Sequence, residues 1–210
     1  TGLYAAVAML SALRARDTTG RGQYIDLSLW DAGVAAMANL AGAYLVSRQD
    51  PPRLGNAHAQ IVPYEMFPTA DGYIVLAVGN DLQFARFAAV VGRPEWADDE
   101  RFRTNPARVE NRHVLVPLIA DALRQKTTDE WLKPLAEAQV PAAPVWNLHQ
   151  VFTSELAQAR GAVWSMDHRA AGRIDTVASP LQHMSETPAR PTQAPPTLGQ
   201  HFPALPPQSL

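Results

Sequence analysis

Residues Leu3 to Leu13 are apolar on nearly every side that a helix can present, and a helix of that kind needs neighbours all around it. The run is shorter than the roughly 20 residues of a membrane span, and no basic segment precedes it as in a signal peptide. A buried helix is the reading it supports. Arg14, Arg16 and Asp17 come next, and Thr18-Thr19-Gly20-Arg21-Gly22 marks the helix stop. From Gln23 to Leu29 the residues alternate, with Ile25, Leu27 and Leu29 opposite Tyr24, Asp26 and Ser28, which predicts a strand. Helix, turn and strand in succession form an α/β signature. The chain starts at Thr1 already inside this apolar pattern and without a polar lead-in, so a truncated piece of a larger protein is expected.

Val34, Met37, Ala38, Ala41 and Leu45 recur at helical spacing and predict one helix from about 31 to 46. The stretch 47–63 has no sustained period and carries Pro51, Pro52, Gly55 and Pro63, which reads as a linker at a domain boundary. Tyr64 to Phe67 and Tyr73 to Val78 flank Asp71-Gly72, a dipeptide suited to tight hairpin turns. Asn80 is placed to cap a helix with Phe84, Phe87, Ala88 and Val91 on its apolar stripe, and Gly92 to close it. Asn105-Pro106 predicts an N-cap and first-turn proline for a long helix to about Gln125, and Thr127 with Glu130 forms a capping box for another. Beyond Pro141 the pattern is irregular, with a short helix near 154–160 and a second hairpin across Ala171-Gly172. Seven prolines between Thr187 and Leu210 predict an extended surface tail.

These elements divide the chain into residues 1–50, completing an α/β domain begun upstream, a linker and loop at 51–63, a smaller α+β domain at 64–180, and a proline-rich return segment at 181–210. Charged residues make up only 18% of the chain, below the roughly 25% of typical soluble proteins, which suggests surface hidden against a partner. A net charge of -2 provides no basic field for nucleic acid or anionic lipid, so neither is an expected partner. The absence of cysteine excludes thiolate nucleophiles, disulfides and cysteine-based zinc sites, and fits a cytoplasmic location.

Chemistry must therefore come from oxygen or imidazole groups. The phosphate loop GxxxxGK[ST], the dinucleotide fingerprint GxGxxG, the zinc motif HExxH and the GxSxG elbow are all missing. The histidines at 58, 113, 149, 168, 183 and 201 show no metal-ligand spacing, and no metal is expected. His58 stands apart because it closes Leu54-Gly55-Asn56-Ala57-His58, where Gly55 would let backbone amides approach a ligand. A flexible linker explains the same residues. Asn80, Asp81 and Gln83 are candidates for a supporting set, or simply the polar first turn of a helix. Arg48, Arg53 and Arg86 could each clamp a substrate carboxylate, or be solvated surface charges.

Taken in order, several segments resemble the type III coenzyme A transferase family. They are Thr1-Gly2-Leu3-Tyr4-Ala5 to Asp26, Gly55-Asn56-Ala57-His58, Val62-Pro63-Tyr64, Asp71-Gly72-Tyr73-Ile74, Gly79-Asn80-Asp81-Leu82-Gln83-Phe84, Phe102-Arg103-Thr104-Asn105, Arg108-Val109-Glu110-Asn111-Arg112, Glu130-Trp131, Val140-Pro141 and Leu198-Gly199-Gln200-His201. Each is weak singly, and their order is specific. The loop and hairpin register is most similar to transferases that exchange coenzyme A among small dicarboxylates.

The resemblance implies an acyl-CoA donor, a carboxylic acid acceptor, no cofactor beyond the CoA thioesters, and an interlaced homodimer with a Rossmann-like large domain. It implies an aspartate nucleophile just upstream of Thr1, acylated as an anhydride and then a thioester, so this piece alone should be inactive. It also implies that Gly55, Asn56, Ala57 and His58, with Tyr64, fold over that site, supported by Asn80, Asp81 and Gln83. Two alternatives remain: an α-methylacyl-CoA racemase, in which an acidic residue near the position of Asp81 supports an acid/base pair, and a non-catalytic acyl-CoA binding domain. A departure from the family lies at the end, where Pro203, Pro206 and Pro207 oppose a further helix.

Overall fold

The computed structural model describes residues 1–200 and 202. Helix α1 (Gly2–Thr19) stops where Gly20 adopts a left-handed conformation, φ 71°, and its N–H reaches back to the Arg16 carbonyl at 2.7 Å. The helix is where the apolar run placed it, but none of its residues is buried, and Leu3 is 85% exposed. Among the described residues its apolar stretch is covered only in part, at Ala5, Ala8 and Ala12.

Two expectations for the next segment fail for local reasons. Residues 23–28 form no strand, because alternation makes a strand only when a neighbour completes its hydrogen bonds. Ser28 instead caps α2 (Leu29–Ala36), accepting from the Asp31 N–H at 3.0 Å. The single helix expected over 31–46 is broken at Met37 into α2 and α3 (Ala38–Ser47), inclined at 78°. At the break Met37 N–H donates to Val34 O, and its own carbonyl restarts the ladder through Leu40 and Ala41. Among the described residues no single helix is long and apolar enough to cross a membrane, although this bent pair passes on length and composition.

After an irregular stretch through Pro63, strands β1 (Tyr64–Pro68) and β2 (Tyr73–Ala77) pair antiparallel, Tyr64 opposite Ala77 and Pro68 opposite Tyr73. Gly72 does not take a positive φ; Thr69 closes the hairpin, its N–H donating to Gly72 O and its hydroxyl accepting from Gly72 N–H. Asp71 then accepts from Thr128 N–H at 2.8 Å, pinning the hairpin tip to a helix start. A third strand, β3 (Ala142–Pro144), adds to the free side of β2. Its two flanking prolines masked it in the sequence, yet an edge strand tolerates them.

Helix α4 (Asp81–Val90) begins at Asn80, whose side chain accepts from Gln83 N–H at 2.9 Å, and Gly92 follows its end with φ 74°. The long helix expected to Gln125 is two: Thr104, not Asn105, caps α5 (Asn105–Glu110), and α6 (Arg112–Leu123) follows a one-residue break. At that break the Asn111 amide donates to Ala107 O, competing with the helical ladder. Thr127 and Glu130 form the expected capping box of α7 (Thr128–Glu137). Phe67, Ile74 and Leu76 of the sheet, Phe84 and Phe87 of α4, Leu115 and Ile119 of α6, and Trp131 and Leu135 of α7 interlock as one core.

The remainder is peripheral. Helices α8 (Leu148–Thr153) and α9 (Glu155–Ala159) lead to a separate hairpin, β4 (Val163–His168) with β5 (Gly172–Val177), turned at Gly172 with φ 71°. Residues 184–196 contain no helix or strand, as their prolines predict. His201 and the prolines at 203, 206 and 207 lie outside the described residues.

Candidate functional site

The loop singled out by its small residues folds into a definite shape. Gly55 has φ 62°, a left-handed conformation that side chains with a Cβ resist, and this turn is closed by Ala57 N–H donating to Leu54 O at 3.0 Å. No atom lies within 4 Å of where a Cβ on Gly55 would stand, so the glycine answers to backbone conformation rather than crowding. Asn56 accepts from Met66 N–H at 3.0 Å, tying the turn to β1. His58 donates its N–H to Tyr64 O at 2.9 Å and stacks its ring on Tyr64, centroids 5.3 Å apart and planes inclined by 13°. Its Nδ1 accepts from Gln60 N–H at 3.1 Å, which leaves the ring proton on Nε2. Gly55, Asn56, Ala57, His58 and Tyr64 all line one cleft of about 420 Å³, whose opposite wall is Asn39 and Leu40 of α3.

Asn80, Asp81 and Gln83 do not line that cleft. Asn80 caps α4, and Gln83 Oε1 accepts from Gly79 N–H at 2.7 Å. Asp81 accepts from Arg108 Nη2 at 2.8 Å. Arg108 is wholly buried, and its other nitrogens donate to Val62 O at 2.7 Å and Phe102 O at 2.9 Å while its guanidinium lies 4.4 Å over the Phe84 ring. Burial pushes this guanidinium below its usual range, and the Asp81 carboxylate offsets part of that shift. Through Arg108 the first turn of α4 is connected to the backbone just after the loop.

Three residues outside the sequence-derived site hold this loop, among them Asn105, expected only as a helix cap. The Asn105 side chain donates to Gln60 O at 2.8 Å and accepts from Val62 N–H at 3.1 Å. Arg112 Nη2 donates to His58 O at 3.1 Å and Ala59 O at 3.0 Å. With Arg108 these residues fall at i, i+3 and i+7 across α5 and the start of α6, and that spacing was the available signal. Beside them Glu65, half-buried on β1, has its carboxyl raised by burial and partly lowered again by Arg112. Of the arginines considered as carboxylate clamps, Arg86 donates to Gln139 Oε1 at 2.9 Å and Arg48 ends α3 in a left-handed conformation. Among the described residues no three metal-binding side chains converge.

The family profile of CoA-transferase family III matches residues 1–202. The chain belongs to CoA-transferase family III. Within that family it is 36% identical over 201 residues to the human succinyl-CoA:glutarate CoA-transferase, covering 96% of this chain and 46% of that protein. It is 39% identical to the succinate–glutarate CoA-transferase of Agrobacterium fabrum, covering 96% of this chain and 50% of that one. A CAIB/BAIF family protein from Brucella suis superposes with a TM-score of 0.75 at 39% identity, covering 96% of this chain and 52% of its own. The chain thus has the mixed α/β fold of family III and spans about half the length of the relatives it matches.

Proposed function

We propose that the protein carrying this chain transfers coenzyme A from an acyl-CoA donor to a small carboxylic acid, with dicarboxylates as the favoured class. The reading rests on the identity, over 96% of the chain, to relatives named for exchange among succinate, glutarate and their CoA esters.

In the proposed reaction an aspartate just N-terminal to Thr1 attacks the donor thioester, releasing CoA thiolate and forming a mixed anhydride. The thiolate attacks the aspartyl carbonyl, expelling the donor acid and leaving an enzyme thioester. The acceptor carboxylate repeats these two steps in reverse. The CoA thioesters are the only cofactor-like species it needs. Residues 55–58 cover the site, and their amides are available to an oxyanion, a type of contact worth about 10² to 10³ in turnover. Residues 1–50 belong with a larger upstream α/β domain, 64–180 form the smaller domain, and two chains interlace as a cytoplasmic homodimer. The exposed apolar surfaces of α1 and α3 support such burial against further chain.

Full-length protein incubated with succinyl-CoA and a panel of acids should yield the corresponding new CoA esters by mass spectrometry, with glutarate among the acceptors. Solvent deuterium at the α carbon of the CoA ester, without exchange between acids, would overturn the proposal in favour of racemisation. Asp81 held by buried Arg108 supports a structural duty for that carboxylate rather than the acid/base support a racemase requires.

A further inference from the structure

We propose that Arg112 is a positioning residue for the glycine turn, and that its grip on the backbone sets how much of the acylated enzyme is lost to water. This inference rests on the transferase reading.

The turn at 54–57 has few anchors of its own: one internal backbone bond, Ala57 N–H to Leu54 O, and the Asn56 bond to Met66 N–H. The adjoining segment, residues 58–62, is held far more firmly. A single nitrogen of Arg112 serves two successive carbonyls, His58 O at 3.1 Å and Ala59 O at 3.0 Å, across more than fifty residues of sequence. Asn105 and Arg108 of α5 take Gln60 O and Val62 O. Of the carbonyls from 58 to 62, four are bound by side chains of α5 and the start of α6. Residue 58 is also the end of the turn, so the place of Gly55 and of the His58–Tyr64 stack is inherited from α6.

Arg112 is suited to this work because its planar guanidinium presents several donors, one nitrogen reaching both carbonyls. No substrate contact is needed. A cover displaced by about 1 Å can cost 10² in rate for the guarded step. Water entering beside it would attack the aspartyl carbonyl of the enzyme thioester, forming the aspartic acid side chain and free CoA thiol. Attack on the anhydride would form two carboxylic acids. Either event consumes one water and ends the cycle without a new CoA ester.

The test uses full-length enzyme with succinyl-CoA and the panel of acids, scoring free CoA thiol against new CoA ester. Arg112→Met keeps the apolar stem and removes the donors. Its ratio of hydrolysis to transfer should rise roughly ten- to a hundredfold, and Arg112→Lys, which retains a cationic donor, should fall between it and wild type. With the spontaneous hydrolysis of succinyl-CoA measured without enzyme and subtracted, loss of folded protein lowers both products together and leaves the ratio unmoved. An unchanged ratio in Arg112→Met, whatever its overall rate, overturns the inference. If that variant does not fold, Arg112→Lys decides: a raised ratio supports the role, and a wild-type ratio overturns it. Wild-type enzyme that transfers CoA to no acid in the panel sinks the transferase reading and this inference together; wild-type transfer with unmoved variant ratios sinks this inference alone.

Discussion

Arg108 and Asp81 meet at 2.8 Å across the protein surface, the guanidinium completely buried and the carboxylate half exposed. Three acceptors surround the buried cation, two of them backbone carbonyls, and Phe84 lies against its face. The arginine thus acts as a staple joining the α4 start, the loop after the cleft and the chain before α5.

Removing the staple should cost far more than removing its anion. Arg108→Met strands the Val62 and Phe102 carbonyls in the interior and should destabilise by about 1–3 kcal/mol for each carbonyl left unpaired. Asp81→Asn keeps an acceptor at the solvent edge and should cost roughly 1 kcal/mol. Urea unfolding of the two variants checks the order; equal effects would contradict the staple.

Two carboxyls predict opposite pH behaviour. Asp71 is lowered chiefly by the Thr128 backbone N–H, then by the Thr128 and Thr69 hydroxyls, so its stabilisation is present above its unfolded value of about 4 and is lost as pH falls through its lower folded value. Asp71→Asn should flatten the acid limb of a plot of melting temperature against pH. Glu65 is raised chiefly by burial, with Arg112 opposing, so ionisation costs stability as pH rises through its folded value. Glu65→Gln should therefore melt higher than wild type at pH 7 and show no such gain at pH 4.

At Gly55 the constraint is backbone conformation alone. A residue with a Cβ meets strain of about 1–2 kcal/mol at φ 62°, although nothing lies within 4 Å of the Cβ itself. Gly55→Val in the full-length enzyme should impair turnover yet leave the melting temperature within a few degrees of wild type. Near-normal turnover would remove the turn from the site.

Trp131 tests the core. Its indole N–H donates to Leu123 O at 2.7 Å while the ring is buried, so Trp131→Phe leaves that carbonyl unpaired and should cost about 1–3 kcal/mol in urea unfolding.

What could be read in advance was local chemistry. Gly20, Asn80 and the Thr127–Glu130 box act within a few residues of themselves, so their signals survive without a structure. Family resemblance pointed to Gly55 to His58, and these four residues lie along one cleft with Tyr64. Gln23 to Leu29 misled because a strand is a property of two segments, and alternation describes only one. The role of Asn105, Arg108 and Arg112 was hidden for a related reason: their bonds to the loop span 43 to 54 residues. Asp81 pairs with a buried cation 27 residues away, a partner that no local pattern announces.

The three-residue grip on segment 58–62 closes on peptide oxygens and one amide, never on a loop side chain. Geometry and chemical identity are thereby separable at this cleft. Under the proposed transfer reaction, Ala57 and Ala59, both on its wall, would be the positions at which to alter what the cleft accepts while the path of the chain is held by other groups.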